Sequence, residues 1–354
     1  MQRSGYVRWF VSLFVCFFVL LCNFYGGLKP LYTQENKIFI PAGDGELSEE
    51  TVASPAPTDT EKQENQQNKP ATESEKPTQN TGTSSIAVSA KDIKGNIISK
   101  YISPYTAGAS YDKVYIKNST GTSVNIKNLL EAKLGYKIET GSSKPQVLII
   151  HTHATESFME SDSTYYTTKF SSRNRDNSKN MVKIGSIVAE RLNSAGIKTI
   201  HDATLHDYPE YTGSYTRAAK TIKAYLEKYP SIKVVLDLHR DSVSSGESDK
   251  VKLVTEIEGK KAAQVMLVMG SQTGGVTGHS KWQENLKLAF KVQQKLEEKY
   301  PTLARPLMLM SKLYNQNLTT GSLLIEFGTD ANSLDEACYS AELVSNALTE
   351  VLKE

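Results

Sequence analysis

The chain has 354 residues and a formal net charge of +2, because 41 lysines and arginines face 39 aspartates and glutamates. That length allows one large domain or two small ones, and the balanced charge does not indicate nucleic-acid binding. Cys16 and Cys22 lie in an apolar segment, which leaves Cys338 without a disulfide partner outside it. A small disulfide-rich fold is therefore excluded, and a large apolar core has to hold the domain together.

The N-terminus predicts a single transmembrane helix. Arg3 and Arg8 precede residues 9–28, a run of twenty residues without a charge. Such a run is about long enough to cross a hydrocarbon core of roughly 30 Å. A signal peptide is the alternative, but its apolar region spans only roughly 7–15 residues. Because of the arginines, we expect residues 1–8 in the cytoplasm and the remainder of the chain outside the membrane.

Residues 29–85 are predicted to form a disordered acidic tether. Residues 41–85 contain no aromatic side chain and are rich in Pro, Thr, Glu, Gln, Asn and Ser. Such a composition cannot bury enough apolar area to offset the chain entropy lost on folding. Nine acidic residues against three lysines give 41–85 a net charge of −6 and leave about +8 on the rest of the chain. A mildly basic domain of this kind suits an anionic surface such as a bacterial wall.

Beyond about residue 100 the pattern predicts a globular α/β domain. Strands are predicted at 113–118, 147–150, 197–200, 234–238, 262–270 and 322–328. Amphipathic helices are predicted at 124–135, 180–196, 214–229 and 282–300, and from a capping box at Ser333 and Glu336 onward. Apolar strands that alternate with helices favour a mostly parallel twisted sheet with helices on both faces. We expect residues 86–146 to be a lead-in segment that packs on a main domain at 147–354.

Three of the predicted strands end in residues that can bind a metal or transfer a proton. His151 and His153 follow one strand, His239 follows another, and Glu326 lies near the end of a third. Ligand sites gather at the carboxyl ends of strands in open α/β sheets, so these side chains can converge. Each histidine taken alone is more often a hydrogen-bonded structural residue, but the joint pattern favours a metal site.

The residue types at these strand ends match zinc chemistry. A catalytic zinc needs three protein ligands, an open position for water and a nearby carboxylate. His151, Glu156 and His239 supply a set of two histidines and one glutamate, and His153 is either an alternative ligand or a substrate-binding residue. Glu326 ends an apolar strand, where partial desolvation raises the pKa as a general base requires. One catalytic zinc ion is therefore predicted.

Several other residues and motifs bear on the function. Arg217 lies in a polar, tyrosine-rich segment that is either a substrate-binding region or a structural loop, and His279 lies in a Gly-rich loop typical of a mobile lid. Residues 237–242 resemble a kinase catalytic loop, but the chain lacks the Gly-rich loop and the other kinase motifs. A serine hydrolase is not indicated either, because no GxSxG motif is present. Cys338, in the last predicted helix, lacks the signature of a nucleophile.

From about residue 113 to the end, the chain resembles the stage II sporulation protein P family. The motifs that carry this resemblance occur in the family's order: VLIIHTHATESF, HDYPEYTGSYTRA, VVLDLHRDS, MLVMGSQTGG with HSKWQENL, and SLLIEFGTDANSLDEA. The resemblance implies a membrane-anchored zinc-dependent peptidoglycan hydrolase. It would cleave the bond between the N-acetylmuramoyl group and L-alanine and, in some members, peptide cross-links. It also implies action during engulfment, between the mother-cell and forespore membranes, with the sporulation proteins D and M.

The layout is also similar to that of zinc-dependent N-acetylmuramoyl-L-alanine amidases, in which a His, a Glu, a second His and a last Glu follow one another. His151, Glu156, His239 and Glu326 match that order. The amidase pattern has its ligand Glu at the start of the first helix, whereas the helix that begins near Asn180 has none in its first turn. Glu156 is therefore assigned by proximity, and His153 can complete the site instead.

Our working hypothesis assigns roles to the surrounding side chains. Glu326 would shuttle a proton to the leaving amine, and Arg217 or Arg240 would hold the oxyanion or a stem-peptide carboxylate. His153, Arg240 and His279 would contact the substrate. Two other functions stay open at this point: a metal-dependent endopeptidase that cuts only cross-links, and a non-catalytic scaffold that binds the wall.

Overall fold

The computed structural model describes residues 90–354. The predicted anchor at 9–28 and tether at 29–85 lie outside the described residues. No helix within 90–354 is both long and apolar enough to cross a bilayer.

Thirteen strands and five α-helices make up the described part of the chain. The strands are β1 (Ile93–Lys100), β2 (Ala109–Tyr111), β3 (Val114–Asn118), β4 (Val147–Ile150), β5 (Tyr165–Thr167), β6 (Thr199–His201), β7 (Val234–Asp241), β8 (Ser244–Ser245), β9 (Asp249–Ile257), β10 (Lys260–Ala263), β11 (Val265–Gly270), β12 (Leu307–Met310) and β13 (Ser322–Thr329). The helices are α1 (Ile126–Glu131), α2 (Met181–Ser194), α3 (Ser214–Lys228), α4 (Trp282–Lys299) and α5 (Leu334–Lys353). All six predicted strands and all five predicted helices are present, with ends shifted by a few residues, and the predicted capping box begins α5.

Eight strands form the main sheet, in the order β2-β3-β12-β11-β13-β7-β4-β6. Five neighbouring pairs are parallel, but β2 with β3 and β11 with β13 are antiparallel. The sheet is therefore mixed, and the prediction of a mostly parallel sheet is wrong. The cause lies between β7 and β11, where the chain runs through β8, β9 and β10 without a helix. Parallel neighbours need a long crossover, usually helical, and β11 enters the sheet without one.

A second, smaller sheet has the order β10-β9-β1-β5, and β8 pairs with β9. Glu258 and Gly259 connect β9 to β10, both with positive φ angles (51° and 75°), the backbone that a two-residue hairpin turn requires. The segment 86–146 contributes β1 to this sheet and β2 and β3 to the main sheet. The sequence does not predict the second sheet, because its strands are short or largely polar.

The two faces of the main sheet are covered unequally. Helices α1, α2, α4 and α5 share one large apolar cluster with the sheet. On the opposite face, α3 packs Ala218 and Ile222 on β4 and β7. Over β11, β12 and β13 that face carries only a small methionine-rich cluster, which contains no residue of a described helix. A cavity lies there, beside the carboxyl end of β7.

Candidate metal centre

His153, Glu156 and His239 come together beside the carboxyl ends of β4 and β7 in the main sheet. Nδ1 of His153 lies 3.5 Å from Oε1 of Glu156, and Nδ1 of His239 lies 3.4 Å from Oε2. All three side chains are buried, and one ligand atom from each lies within 4.8 Å of the other two. Ligands that surround a tetrahedral zinc at about 2 Å are roughly 3.3 Å apart. A single ion can therefore contact all three residues with little rearrangement.

Strand alternation and a tight turn place these ligands. Successive side chains of a strand point to opposite faces. In β7, Leu238 belongs to the large apolar cluster, so His239 points to the cavity. The turn after β4 is closed by a hydrogen bond from the Glu156 N–H to the His153 carbonyl oxygen (3.1 Å). The carbonyl of Glu156 accepts from the N–H of Met181 (3.0 Å). Glu156 thus lies beside the start of α2, although it is not part of that helix.

The second nitrogen of each imidazole has its own neighbour. Nε2 of His153 lies 3.1 Å from the hydroxyl of Ser214. Nε2 of His239 lies 3.0 Å from Oδ1 of Asp237, as a charge contact that is not aligned for a hydrogen bond. Asp237 is fixed in turn by the N–H (2.8 Å) and the hydroxyl (2.6 Å) of Thr152. Histidines that bind a metal usually turn their other ring nitrogen toward such oxygens, so both Nδ1 atoms are oriented as ligands.

The electrostatics of the cluster favour a cation. Burial acts to raise the pKa of Glu156, but Arg240 and the two imidazoles outweigh it and hold that pKa well below its usual range. Burial likewise opposes charge on Asp237 and His239. Their mutual attraction nevertheless lowers the pKa of Asp237 and raises that of His239 well above its ordinary value. Glu156 and Asp237 therefore carry their negative charge beside the imidazole of His239.

Glu326 lies on β13, directly beside His239 on the neighbouring strand. Its side chain reaches the cavity, but its Oε2 is buried and has no hydrogen-bond partner among residues 90–354. Burial and the nearby carboxylate of Asp241 raise the pKa of Glu326 to about 8. A carboxyl group of this kind can hold or release a proton near neutral pH.

The cavity beside these residues has a polar wall and an apolar wall. The polar wall is formed by the three ligand candidates with Glu326, Asp241 and Arg240. Met266, Val268 and Leu324 form the apolar wall, and Tyr215 and Tyr314 complete the lining. In antiparallel register Met266 lies opposite Glu326, and this contact contributes to the desolvation of the carboxyl group.

His151 does not join the ligand cluster. Its Nδ1 lies 3.0 Å from the carbonyl oxygen of Leu238, and its Nε2 lies 2.9 Å from Nε2 of His201. Val147 and Ile149 belong to the same apolar cluster as α2, and His151 continues that row on the face away from the cavity. The ligand set that meets therefore contains His153, the alternative ligand, instead of His151.

The two arginines expected at the substrate donate to backbone carbonyls instead. Arg240 is buried and donates to the carbonyl oxygens of Ser157, Ser172 and Asp241. Arg217 donates to the carbonyl oxygens of His206, Glu210 and Thr212. Both guanidinium groups thus hold loops around the cavity, which leaves little of either for an oxyanion or a carboxylate.

His279 is buried in the loop between β11 and α4 and does not line the cavity. Its backbone N–H donates to Oε1 of Gln272 (2.8 Å), which ties this loop together. Burial lowers the pKa of His279 to about 4.

Asp237 and Asp241 were not singled out from the sequence. A signal for both existed, because Asp237 and Asp241 lie two residues on either side of His239 in β7, at the spacing that places side chains on one face of a strand.

Fold and site together define an α/β protein with a candidate metal centre at the edge of its main sheet. A profile of the family "Stage II sporulation protein P" matches residues 29–349, and the chain belongs to this family. Stage II sporulation protein P of Bacillus subtilis (strain 168) is 28% identical over 229 residues, which cover 60% of this chain and 52% of that protein. The chain thus matches about half the length of this curated relative.

Two solved structures match part of the chain. The apo form of the N-acetylmuramyl-L-alanine amidase Ami1 from Mycobacterium abscessus has a TM-score of 0.34 and 13% identity, and the match covers 59% of this chain and 97% of that one. The CwlD amidase from Clostridioides difficile, in complex with the GerS lipoprotein, has a TM-score of 0.34 and 14% identity, with 58% and 94% covered.

Proposed function

We propose that this protein is a zinc-dependent peptidoglycan hydrolase that cleaves the amide bond between N-acetylmuramoyl groups and L-alanine during sporulation. The observation that carries the proposal is the convergence of His153, Glu156 and His239 beside Glu326. Membership of the stage II sporulation protein P family supports the choice of cell wall and developmental stage.

The residues present fit a catalytic zinc ion. Two imidazoles and one carboxylate would hold it and leave a fourth position open toward the cavity, as catalytic zinc sites do. When bound, zinc supplies a water of lowered pKa and polarises the carbonyl that this water attacks. Asp237 and Ser214 orient the imidazoles through their second ring nitrogens.

Glu326 is the proton carrier in this proposal. The attacking water forms a bond to the amide carbon and gives its proton to Glu326, which passes it to the alanine nitrogen as the carbon–nitrogen bond breaks. A pKa of about 8 in the metal-free site suits both transfers. The apolar side chains of Met266, Val268 and Leu324 line the cavity beside this carboxyl group.

Mass spectrometry of the products released from purified peptidoglycan by the full chain tests this function. We expect free stem peptides with an N-terminal alanine, which disappear on chelation and return with zinc. Products with cut cross-links alone would identify an endopeptidase instead. Tight binding to sacculi without metal and without products would identify a scaffold. The variant Glu326→Gln is the control for the chemistry, and digestion at the parent rate would refute the role given to Glu326.

We also propose a location and two partners for this protein. The predicted span at 9–28 would anchor the chain, with the described domain outside the membrane, between mother cell and forespore. The sporulation proteins D and M are the partners that the family resemblance implies. Protease digestion of intact protoplasts tests the topology, because an external domain is degraded without lysis. Affinity capture from sporulating cells tests the partners.

A further inference from the structure

Hydrolysis of an amide passes through a tetrahedral intermediate whose oxygen becomes negatively charged. A hydrogen-bond donor aimed at that oxygen stabilises the transition state. Arg217 and Arg240 already donate to backbone carbonyls. Apart from Arg240, the histidine ligands and the proton carrier Glu326, the described residues that line the cavity and carry a side-chain donor are Tyr215 and Tyr314.

Tyr215 is held against the ligand cluster. It is the second residue of α3 and follows Ser214, whose hydroxyl lies 3.1 Å from Nε2 of His153. Its ring meets the His153 ring nearly at a right angle (81°), with 5.5 Å between the centroids. The Tyr215 carbonyl accepts a hydrogen bond from Asn315 (2.9 Å). The ring therefore has a fixed position beside a ligand.

The hydroxyl of Tyr215 has no partner of its own. Within residues 90–354 no side chain or backbone group makes a hydrogen bond to it, and Tyr215 lines the cavity. A phenol has an ordinary pKa of about 10, so the hydroxyl carries its proton at neutral pH and is available as a donor.

Tyr314 is placed differently. It lies on the loop before β13 with a left-handed backbone (φ 48°), 6.1 Å from the Tyr215 ring. The carboxylate whose charge acts on it is Glu326, and no ring contact joins it to a described histidine. The Tyr215 ring contacts a ligand imidazole and lines the same cavity, so it has the better position for an oxygen that develops charge beside the ligand cluster.

We propose that the phenolic O–H of Tyr215 donates a hydrogen bond to the oxyanion of the tetrahedral intermediate and is a catalytic residue. This inference rests on the proposed function. As water adds to the amide carbon, the carbonyl π electrons move to oxygen, and that oxygen accepts the hydrogen bond. As the intermediate collapses, the electrons return and the carbon–nitrogen bond breaks with the proton from Glu326. Tyr215 keeps its own proton throughout.

The test uses the zinc-loaded full chain and a phosphinate that replaces the muramoyl–alanine amide with a tetrahedral anion. Calorimetry compares the parent with Tyr215→Phe, which keeps the ring contact on His153 and removes only the hydroxyl. We expect the phosphinate to bind about 100-fold more weakly, with one zinc per chain retained. We also expect kcat to fall about 100- to 1000-fold with little change in KM, the size found when one oxyanion donor is removed.

Tyr211→Phe is the matched comparison. The Tyr211 ring stacks on the same imidazole at 4.7 Å, but its hydroxyl is buried without a partner among residues 90–354 and does not line the cavity. We expect this variant to bind the phosphinate within about threefold of the parent. If Tyr215→Phe also binds it within threefold, the role of Tyr215 is refuted while the proposed function stands. If the parent neither binds the phosphinate nor releases stem peptides, the proposed function fails and the inference falls with it.

Discussion

The chain places two pairs of imidazoles on opposite faces of one sheet, His151 with His201 and His153 with His239. In the first pair the two Nε2 atoms lie 2.9 Å apart and bond to each other. In the second pair the rings are 5.0 Å apart and nearly perpendicular, and both Nδ1 atoms face the carboxylate of Glu156. The facing nitrogens of the first pair thus bond to each other, whereas the second pair directs two nitrogens at an anion.

Their surroundings differ in the same sense. Burial lowers the pKa of His151 to about 3 and also lowers that of His201, so both rings are neutral and act as packing groups with hydrogen bonds. His239 lies between Glu156 and Asp237, which raise its pKa. Neighbouring carboxylates and an adjoining cavity, more than the histidines themselves, distinguish a metal site from a structural pair.

The largest effect is expected when a ligand is removed. His153→Ala should lower zinc affinity by more than about 100-fold, beyond the 10- to 100-fold loss that follows removal of a residue that only orients a ligand. Zinc per chain, measured by atomic absorption after dialysis, should fall from about one to near zero. His201→Asn is the comparison, because it breaks the other pair and should keep its zinc. If His201→Asn lost its zinc and His153→Ala kept it, the metal would instead lie at His151 and His201, on the opposite face of the sheet.

A pH-dependent difference in stability is expected at Glu326. Its folded pKa of about 8 exceeds the value near 4.3 expected for an unfolded chain, so the parent loses stability as the pH rises through this window. Glu326→Gln cannot ionise and escapes that loss. In the presence of a chelator, the variant should gain up to about 3 kcal/mol over the parent between pH 5 and pH 8. Urea unfolding at both pH values measures it, and a constant difference would contradict the assignment.

A smaller loss of stability is expected when a methyl group is added at Gly185, beside the imidazoles of His151 and His201. A Cβ atom on Gly185 would lie 2.5 Å from Nε2 of His151 and 2.4 Å from Nε2 of His201. Both rings must move, so Gly185→Ala should lower the free energy of unfolding by about 1–3 kcal/mol. Gly108→Ala is the control, because a Cβ there has no neighbour within 4 Å. Equal stability of the two variants in urea would show that the pair tolerates displacement.

Much of the fold could be predicted from apolar runs and helical periodicity, but strand direction could not. The run at 262–270 predicts a buried strand whichever way it points, and its antiparallel pairing with β13 depends on the hairpin that precedes it. The strands of that hairpin, β9 and β10, leave polar residues exposed and therefore resemble loops in the sequence. Because the sequence does not predict this hairpin, it does not predict the mixed sheet either.

The residue types of the candidate site could be predicted from the sequence. The choice between His151 and His153 as a ligand could not, because it depends on which face of the sheet carries the cavity. Alternation puts His151 on the same face as Ile149, and His239 on the face opposite Leu238. Which face carries the cavity depends on where the helices pack, and four of the five described helices share the cluster that contains Ile149. His153 lies beyond the end of β4, where alternation no longer applies. The turn to Glu156 brings it to the cavity.

The smallest effect is expected at Ser214, which the comparison of the two pairs identifies as an orienting residue. Its hydroxyl lies 3.1 Å from Nε2 of His153. Within residues 90–354, no side-chain hydroxyl makes a hydrogen bond to a ring nitrogen of His151 or His201. Ser214→Ala should weaken zinc binding by about 10-fold, at the lower end for a residue that orients a ligand. Competition with a fluorescent chelator measures this change. Ser186→Ala is the control, since that hydroxyl bonds to a carbonyl within α2 (2.9 Å) and should leave zinc affinity unchanged. An unaltered affinity in Ser214→Ala would mean that stacking on Tyr211 and contact with Tyr215 orient the imidazole without help from the hydroxyl.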